Sequence, residues 1–309
     1  MPTLLYEHES FGGHETPPDH PERAERYESV RAALAGDRFS PLLRRTALRA
    51  DLEAIKRAHD SAYVEALIAA APEHGMVRLD PDTVMGPSSL DAALRAAGAG
   101  VAAVDAIYAG EARNAFVAAR PPGHHAPADR AMGFCLFNSA AIAALHARAA
   151  YGAKRVAVVD FDVHHGNGTE AIFWNDKNAF YASSHEWPQY PGTGRATDRG
   201  AYDNIANAPL STGADGEEFR RVWGEQLLPA LSDFGPDFLV ISAGFDAHRA
   251  DPLGGLALVE DDFDWVTREL LGVADACCEG RVVSLLEGGY DLGALARSAS
   301  AHVAALMRA

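Results

Sequence analysis

Val156-Ala-Val-Val-Asp-Phe-Asp-Val-His-His-Gly-Asn-Gly168 is the stretch that decides the fold of this chain. It opens as an unbroken apolar run, the pattern of a strand buried on both faces as in a parallel sheet. It then sets Asp160, Asp162 and His164 at alternate positions. Residues two apart on a strand point the same way, so two carboxylates and an imidazole are expected to converge. Buried charges are costly unless paired or bound to a metal. Gly166 and Gly168 release the backbone just beyond. The stretch therefore predicts a metal site at a strand end.

Working outward, apolar strand patterns alternate with helical ones. Residues 3–6 read as a first strand, and a Gly/Pro/His-rich loop (residues 12–23) leads into a helix from about Pro21. Leu52 to Ala71 reads as one helix, and Leu79 to Pro87 as an irregular loop. Ser88 and Asp91 resemble a capping box opening an Ala-rich helix to about Ala109. Strand patterns follow at Asn114–Ala119, 156–162, Ala179–Ser184, Asp237–Gly244 and Arg281–Leu286. Helical ones lie at Ser139–Ala150, Glu217–Leu231, Asp261–Cys278 and Leu292–Met307. This alternation predicts an α/β fold with a largely parallel sheet covered on both faces. No linker, repeat or low-complexity segment divides residues 1–309, so one domain is expected.

A hydrophobic fraction of 48% is ample for a core. The net charge of −16 argues against nucleic-acid binding, which needs clustered Lys and Arg. Cys135, Cys277 and Cys278 form no disulfide framework and suit a reducing compartment. The first residues lack a basic segment and a long apolar run, so no secretory leader is expected. Membrane-spanning patterns are absent too, and the expectation is a cytoplasmic protein, compatible with a homo-oligomer.

Four strand patterns end in loops that carry reactive side chains: His124–His125, Asp160 to His164, Asp246 to Asp251, and Tyr290. In open α/β sheets ligands bind at the carboxyl ends of strands, so these loops are expected on one rim. A catalytic zinc takes three N or O ligands and leaves a position open. Asp162 and His164 supply two, and Asp246, His248 and Asp251 are candidates for the third. Adjacent histidines after Pro-Pro-Gly fit acid–base work near neutral pH. Asp160 and Asn167 are the polar residues left to orient them. Glu287-Gly288-Gly289-Tyr290 presents a phenol that could donate to a developing oxyanion.

Arg-Pro-Pro-Gly-His-His-Ala (120–126), Gly-Phe-Cys-Leu-Phe-Asn (133–138), Asp-Phe-Asp-Val-His-His-Gly-Asn-Gly-Thr (160–169), Tyr-Pro-Gly-Thr-Gly (190–194), Gly-Phe-Asp-Ala-His with Asp-Pro-Leu-Gly-Gly (244–255), and Glu-Gly-Gly-Tyr (287–290) stand in this order. Together they resemble the zinc-dependent histone deacetylase family of the arginase–deacetylase superfamily. The likeness is to its class II-like bacterial amidohydrolases and acetylpolyamine amidohydrolases, and it spans nearly the whole chain. It implies a single arginase–deacetylase domain built on an eight-stranded parallel sheet with helices on both faces. It also implies one zinc on Asp162, His164 and Asp251, with Asp246 behind them. His124 and His125 match the tandem catalytic histidines, Asp160 and Asn167 their partners, and Tyr290 the catalytic tyrosine. The family's other branch has Asp where Asn167 stands, which implies a less basic His125 here.

By the same resemblance Gly133, Phe134, Tyr190 and Leu258 form the substrate tunnel, and Arg23 braces the Gly288–Gly289 turn. Asp160, Asp162, His164, Ser183 and Ser184 match a structural potassium site, and a second monovalent site would lie near Phe173. The implied reaction is hydrolysis of an N-acetyl amide, on acetyl-lysine or an acetylated polyamine or small amine, to amine and acetate. A binuclear manganese ureohydrolase of the arginase type is a competing reading, but the tandem histidines have no evident use in it. A non-catalytic binder of acylated amines is another, and it would be expected to lack a ligand, a histidine or the tyrosine.

Overall fold

A computed structural model of the chain describes residues 1–309. Its strands in chain order are β1 (Thr3–Glu7), β2 (Leu43–Thr46), β3 (Val77–Arg78), β4 (Val84–Met85), β5 (Asn114–Val117), β6 (Val156–Asp160), β7 (Ala179–Glu186), β8 (Ile205–Leu210), β9 (Phe238–Ala243) and β10 (Val282–Leu286). Eight of them form one sheet in the order β2-β1-β5-β10-β9-β6-β7-β8, parallel throughout. β3 and β4 pair as a separate antiparallel hairpin.

The apolar run of β6 behaves as its pattern requires. Val156 and Val158 enter the core on one face, with Ala140, Ala144 and Phe238; Ala157 and Val159 enter the other, with Leu239 and Phe263. Helices Ser89–Tyr108 and Ser139–Tyr151 cover the first face, and Glu260–Cys278 and Leu292–Leu306 the second. No helix is long and apolar enough to cross a membrane.

Several local expectations need correction. β6 ends at Asp160, so alternation along a strand does not align Asp162 and His164. A relay does so instead: Asp162 N donates to Asp160 Oδ1 (3.1 Å), and His164 N to Asp162 Oδ1 (2.9 Å). The first long helix starts at Ala24 rather than near Pro21, with Arg23 extended, because Glu22 is pulled into the interior by Arg26 and Arg120. The helix expected over residues 52–71 is two, Leu52–Ile55 and Ser61–Ala69, broken where Asp60 N donates to Ala128 O (2.8 Å). Ser88 and Asp91 form no capping box: Ser88 is already helical, and Asp91 is taken by Arg49 and Arg95. The supposed loop at 79–87 contains β4. The edge strands β2 and β8 were not legible as patterns.

Inside the second core, His302 is fully buried, with Nδ1 2.6 Å from Thr267 Oγ1 and Nε2 2.7 Å from Ser284 Oγ. Burial pushes its pKa down to about 3, against an unfolded value near 6.5. The unfolded chain therefore takes up this proton first as pH falls, and the stability contributed by the neutral ring is complete only above about pH 6.5. The stability advantage of the parent over His302→Gln should shrink below that pH, by up to about 1.4 kcal/mol per unit. Urea unfolding of both proteins from pH 7.5 to 4.5 measures it, and a pH-independent difference would refute the assignment.

Candidate active site

The loops after β5, β6, β9 and β10 meet on one rim of the sheet, and all four expected clusters lie there. They surround a cavity of about 210 Å³ lined by Asp82, His125, Phe134, His164, Tyr190 and Tyr290, among others. It is a small slot, below the usual volume of sites for drug-sized ligands.

At its base His164 Nδ1 lies 3.1 Å from Asp162 Oδ1 and 3.2 Å from Asp246 Oδ2. Asp162, His164 and Asp246 are the residues whose ligand atoms all fall within 4.8 Å of one another. The sequence resemblance placed Asp251 in that set and Asp246 behind it; here the compact group contains Asp246. Asp251 is held by backbone amides instead, Oδ2 accepting from Tyr290 N (2.6 Å) and Asp291 N (3.2 Å), and Oδ1 from Leu253 N (2.9 Å). Asp246 Oδ1 accepts from Val163 N (2.8 Å), and Asp162 Oδ2 from Gly288 N (2.8 Å). Glycines make room for these oxygens: a Cβ at Gly244 would sit 2.0 Å from Asp162 Oδ2, and one at Gly288 2.0 Å from Asp246 Oδ2.

The chemistry of this donor set fits a divalent cation. Burial opposes charge on His164, yet its two carboxylate neighbours outweigh it and hold its pKa up to about 10. Burial and the Asp162 charge push Asp246 up to about 7. Positive charge is thus favoured where these side chains meet, and carboxylate with imidazole is a zinc-type donor set.

The tandem histidines are held in opposite states. His124 Nδ1 donates to Asp160 Oδ2 (2.9 Å), which Tyr181 also contacts. Burial would depress His124, but Asp160, with Asp162 and Glu287, outweighs it and raises its pKa well above normal. His125 is paired through Nδ1 with Asn167 Oδ1 (2.8 Å), and burial with the neighbouring His124 and His164 lowers it well below normal. Adjacent groups with pKa values driven apart are the pattern of acid and base roles. Asn167 Nδ2 donates to His125 O (3.3 Å), so its Oδ1 faces the ring and requires Nδ1–H, leaving Nε2 as the free acceptor.

Two assignments implied by the resemblance, Arg23 as the brace and Leu258 in the tunnel, are not met. Arg26, not Arg23, braces the Gly288–Gly289 turn: its guanidinium donates to Gly289 O and Glu287 O, both at 2.5 Å, and lies 4.9 Å from the Tyr290 ring centroid. Arg23 is exposed at the head of its helix, whereas Arg26, one turn along, faces inward. Leu258 is fully buried in the second core and does not reach the cavity; Leu253 lines it. Gly133, Phe134 and Tyr190 stand in the cavity wall.

Two site residues have roles that the sequence did not assign. Glu287 is buried, its Oε2 accepting from Gly123 N (2.6 Å) and His124 N (3.1 Å), and so fixes the histidine loop. Asp82, beside β4, accepts from Gly133 N (3.2 Å) and puts a carboxylate at the cavity mouth. Near Phe173 the Asn204 amide donates to the carbonyls of Phe173 (2.9 Å), Asp176 (3.3 Å) and Ala179 (2.9 Å), so these oxygens already have a donor.

Known proteins resemble this chain along nearly its whole length. A histone deacetylase domain matches residues 20–306. An uncharacterized protein of Synechocystis sp. is 41% identical over 302 residues, covering 96% of this chain and 97% of that protein. The histone deacetylase-like amidohydrolase of Pseudomonas aeruginosa is 38% identical over 289 residues, 91% of this chain and 76% of that protein. The crystal structure of the HDA15 HD domain superposes with a TM-score of 0.94 at 35% identity, covering 100% of this chain and 90% of that one.

Proposed function

The chain belongs to the histone deacetylase family and is an amide-hydrolysing deacetylase, and we propose that it uses one zinc ion to release acetate from an N-acetylated extended amine, acetyl-lysine or an acetylated polyamine or small amine. The observation that carries this reading is the convergence of a carboxylate–imidazole cation site, two adjacent histidines whose pKa values are driven apart, and a phenol at one small cavity.

Asp162, His164 and Asp251 would hold the zinc, with Asp246 beside the same His164 Nδ1 that faces Asp162. Asp251 and His164 each keep 8% exposure while Asp246 keeps none, which favours Asp251 as the residue at the open side. When bound, zinc would polarise the acyl carbonyl and make a neighbouring water more acidic. His125 takes the proton of the attacking water at Nε2, the position that Asn167 keeps free. Imidazolium His124 stays on Asp160 and places positive charge beside the developing oxyanion. Tyr290 keeps its proton and donates a hydrogen bond to that oxyanion, and His125 passes the proton it took from the water to the leaving amine. Phe134 and Tyr190 flank the alkyl chain.

A structural potassium ion at Asp160, Asp162, His164, Ser183 and Ser184 is part of the same reading, supported by the side-by-side register of Asp160 and Ser183. The free thiols of Cys135, Cys277 and Cys278 fit the reducing interior of the cytoplasm, where we place the enzyme.

A turnover panel with zinc-loaded protein tests the function: acetyl-lysine peptides, acetylputrescine, acetylspermidine and simple acetylated amines. Preference for small acetylamines over peptides by more than about tenfold, or about 1.4 kcal/mol in transition-state binding, would assign the polyamine branch. No turnover on any acylated amine with zinc bound would overturn the proposal. The third ligand has its own test. Asp246→Asn should weaken zinc binding about 10–100-fold, as for a residue that only supports a ligand, and Asp251→Asn should weaken it more, as read by competition with a chromogenic chelator. The reverse order would move the ligand assignment to Asp246.

A further inference from the structure

The chain has lysine only at 56, 154 and 177. Lys154 and Lys177 line the same surface cavity, of about 810 Å³, together with Arg57 and Arg148. Asp176 is the one carboxylate in its lining. In a chain of net charge −16 this concentration of positive charge is unusual.

The four cations come from separate segments. Arg57 follows the short helix Leu52–Ile55, Arg148 is in the last turn of Ser139–Tyr151, Lys154 precedes β6, and Lys177 precedes β7. A helix C-terminus attracts nearby cations, which accounts for Arg148 and Lys154. The end of Leu52–Ile55 accounts for Arg57 in the same way, which leaves Lys177. Lys56 is neutralised by Glu53 and Glu65, and Arg148 by Asp176, whereas Arg57, Lys154 and Lys177 have no carboxylate partner. Arg57 instead donates to His146 Nδ1 (2.6 Å), while His146 Nε2 faces Asp105 Oδ1 at 2.6 Å. Its guanidinium is thus anchored from behind with N–H groups to spare. Arg57, Lys154 and Lys177 are exposed and free of carboxylates, so their repulsion in water is small and their donors are open to an incoming anion; Arg and Lys are both suited to phosphate oxygens.

The geometry points to a binding site for a compact multivalent phosphate, an inorganic polyphosphate or the phosphate chain of a nucleotide. The site lies at the amino ends of β6 and β7, and the candidate active site at their carboxyl ends. A strand of five residues separates the two by roughly 16 Å, so both can be filled at once and this assignment does not rest on the deacetylase reading.

Calorimetric titration at constant ionic strength, with inorganic tripolyphosphate, orthophosphate and ATP as probes, tests it. Saturable binding of tripolyphosphate at least about tenfold tighter than orthophosphate is expected, a margin of about 1.4 kcal/mol. Lys154→Ala/Lys177→Ala should weaken it about tenfold or more, and Arg57→Ala, from a different segment, should weaken it as well. All these variants should keep the parent's turnover without phosphate, because none of the three side chains reaches the slot. ATP binding as tightly as tripolyphosphate assigns recognition to the phosphate chain; tighter ATP binding adds the nucleoside. Chelation of a bound metal would affect parent and variants equally. No saturable binding, or equal binding by parent and double variant, overturns the assignment.

Discussion

Tyr290→Phe is expected to lower turnover about 10²–10³-fold, the loss typical of removing one oxyanion donor, while zinc content and melting temperature stay near those of the parent. The substitution removes one oxygen and leaves the ring's supports in place. Arg26 lies against the ring face, Phe134 meets it edge-on with centroids 6.0 Å apart, and the Tyr290 amide remains on Asp251 Oδ2. The phenol is the right kind of donor: burial, despite Arg26, raises its pKa well above normal, so it keeps its proton. Because the bond strengthens as charge develops on the carbonyl oxygen, the loss should fall on kcat more than on KM. Full activity of Tyr290→Phe with intact zinc would remove Tyr290 from the mechanism.

Glu22→Ala is expected to destabilise the protein by about 3–5 kcal/mol, because it strands buried charges that the carboxylate now pairs. Glu22 is fully buried; Oε1 accepts from Arg26 (2.9 Å) and Arg120 (2.5 Å), and Oε2 accepts from Arg120 (2.7 Å) and faces His14 Nε2 at 3.3 Å. Burial alone would favour the protonated acid, but Arg120, His14 and Arg26 outweigh it and hold the carboxylate well below its ordinary pKa. Glu22→Gln keeps the shape and some of the acceptor capacity, so its loss should be smaller. Urea unfolding at pH 7 measures both. A loss below about 1 kcal/mol for Glu22→Ala, the worth of an exposed pair, would mean that the network does not support the fold. Activity should fall with stability, since Arg26 carries the Gly289 and Glu287 carbonyls of the turn that presents Tyr290.

The strands that the sequence reveals are those whose burial leaves a pattern. Apolar runs announce β6, β9 and β10 because both faces of each are covered. β2, Leu-Arg-Arg-Thr, is exposed at every position and lies at the sheet edge, so neither alternation nor an apolar run marks it. β8, Ile-Ala-Asn-Ala-Pro-Leu, lies at the other edge and carries a proline that a central strand would exclude. The helix break at Asp60 is held by a carbonyl 68 positions away, at Ala128, and its one local trace is an Asp at the start of the second helix.

The candidate site divides in the same way. Which residues gather was legible from their positions after strands, since every crossover in a parallel sheet returns the chain to the same rim. His124 with Asp160, and His125 with Asn167, meet as the motifs implied. Sequence by itself thus determined the fold class, the rim on which the chemistry lies and the identities of most groups in it, because burial and strand order are written in local patterns. Tertiary structure alone decided that Arg26 and not Arg23 supports the turn, that Leu253 and not Leu258 lines the slot, and that Asp246 packs against His164 while Asp251 holds the backbone of Tyr290. Each of these choices is between similar side chains a few residues apart. What separates them is the direction of a side chain at a helix start or in a loop, set by distant partners such as Glu22 and Gly288 that spacing does not encode.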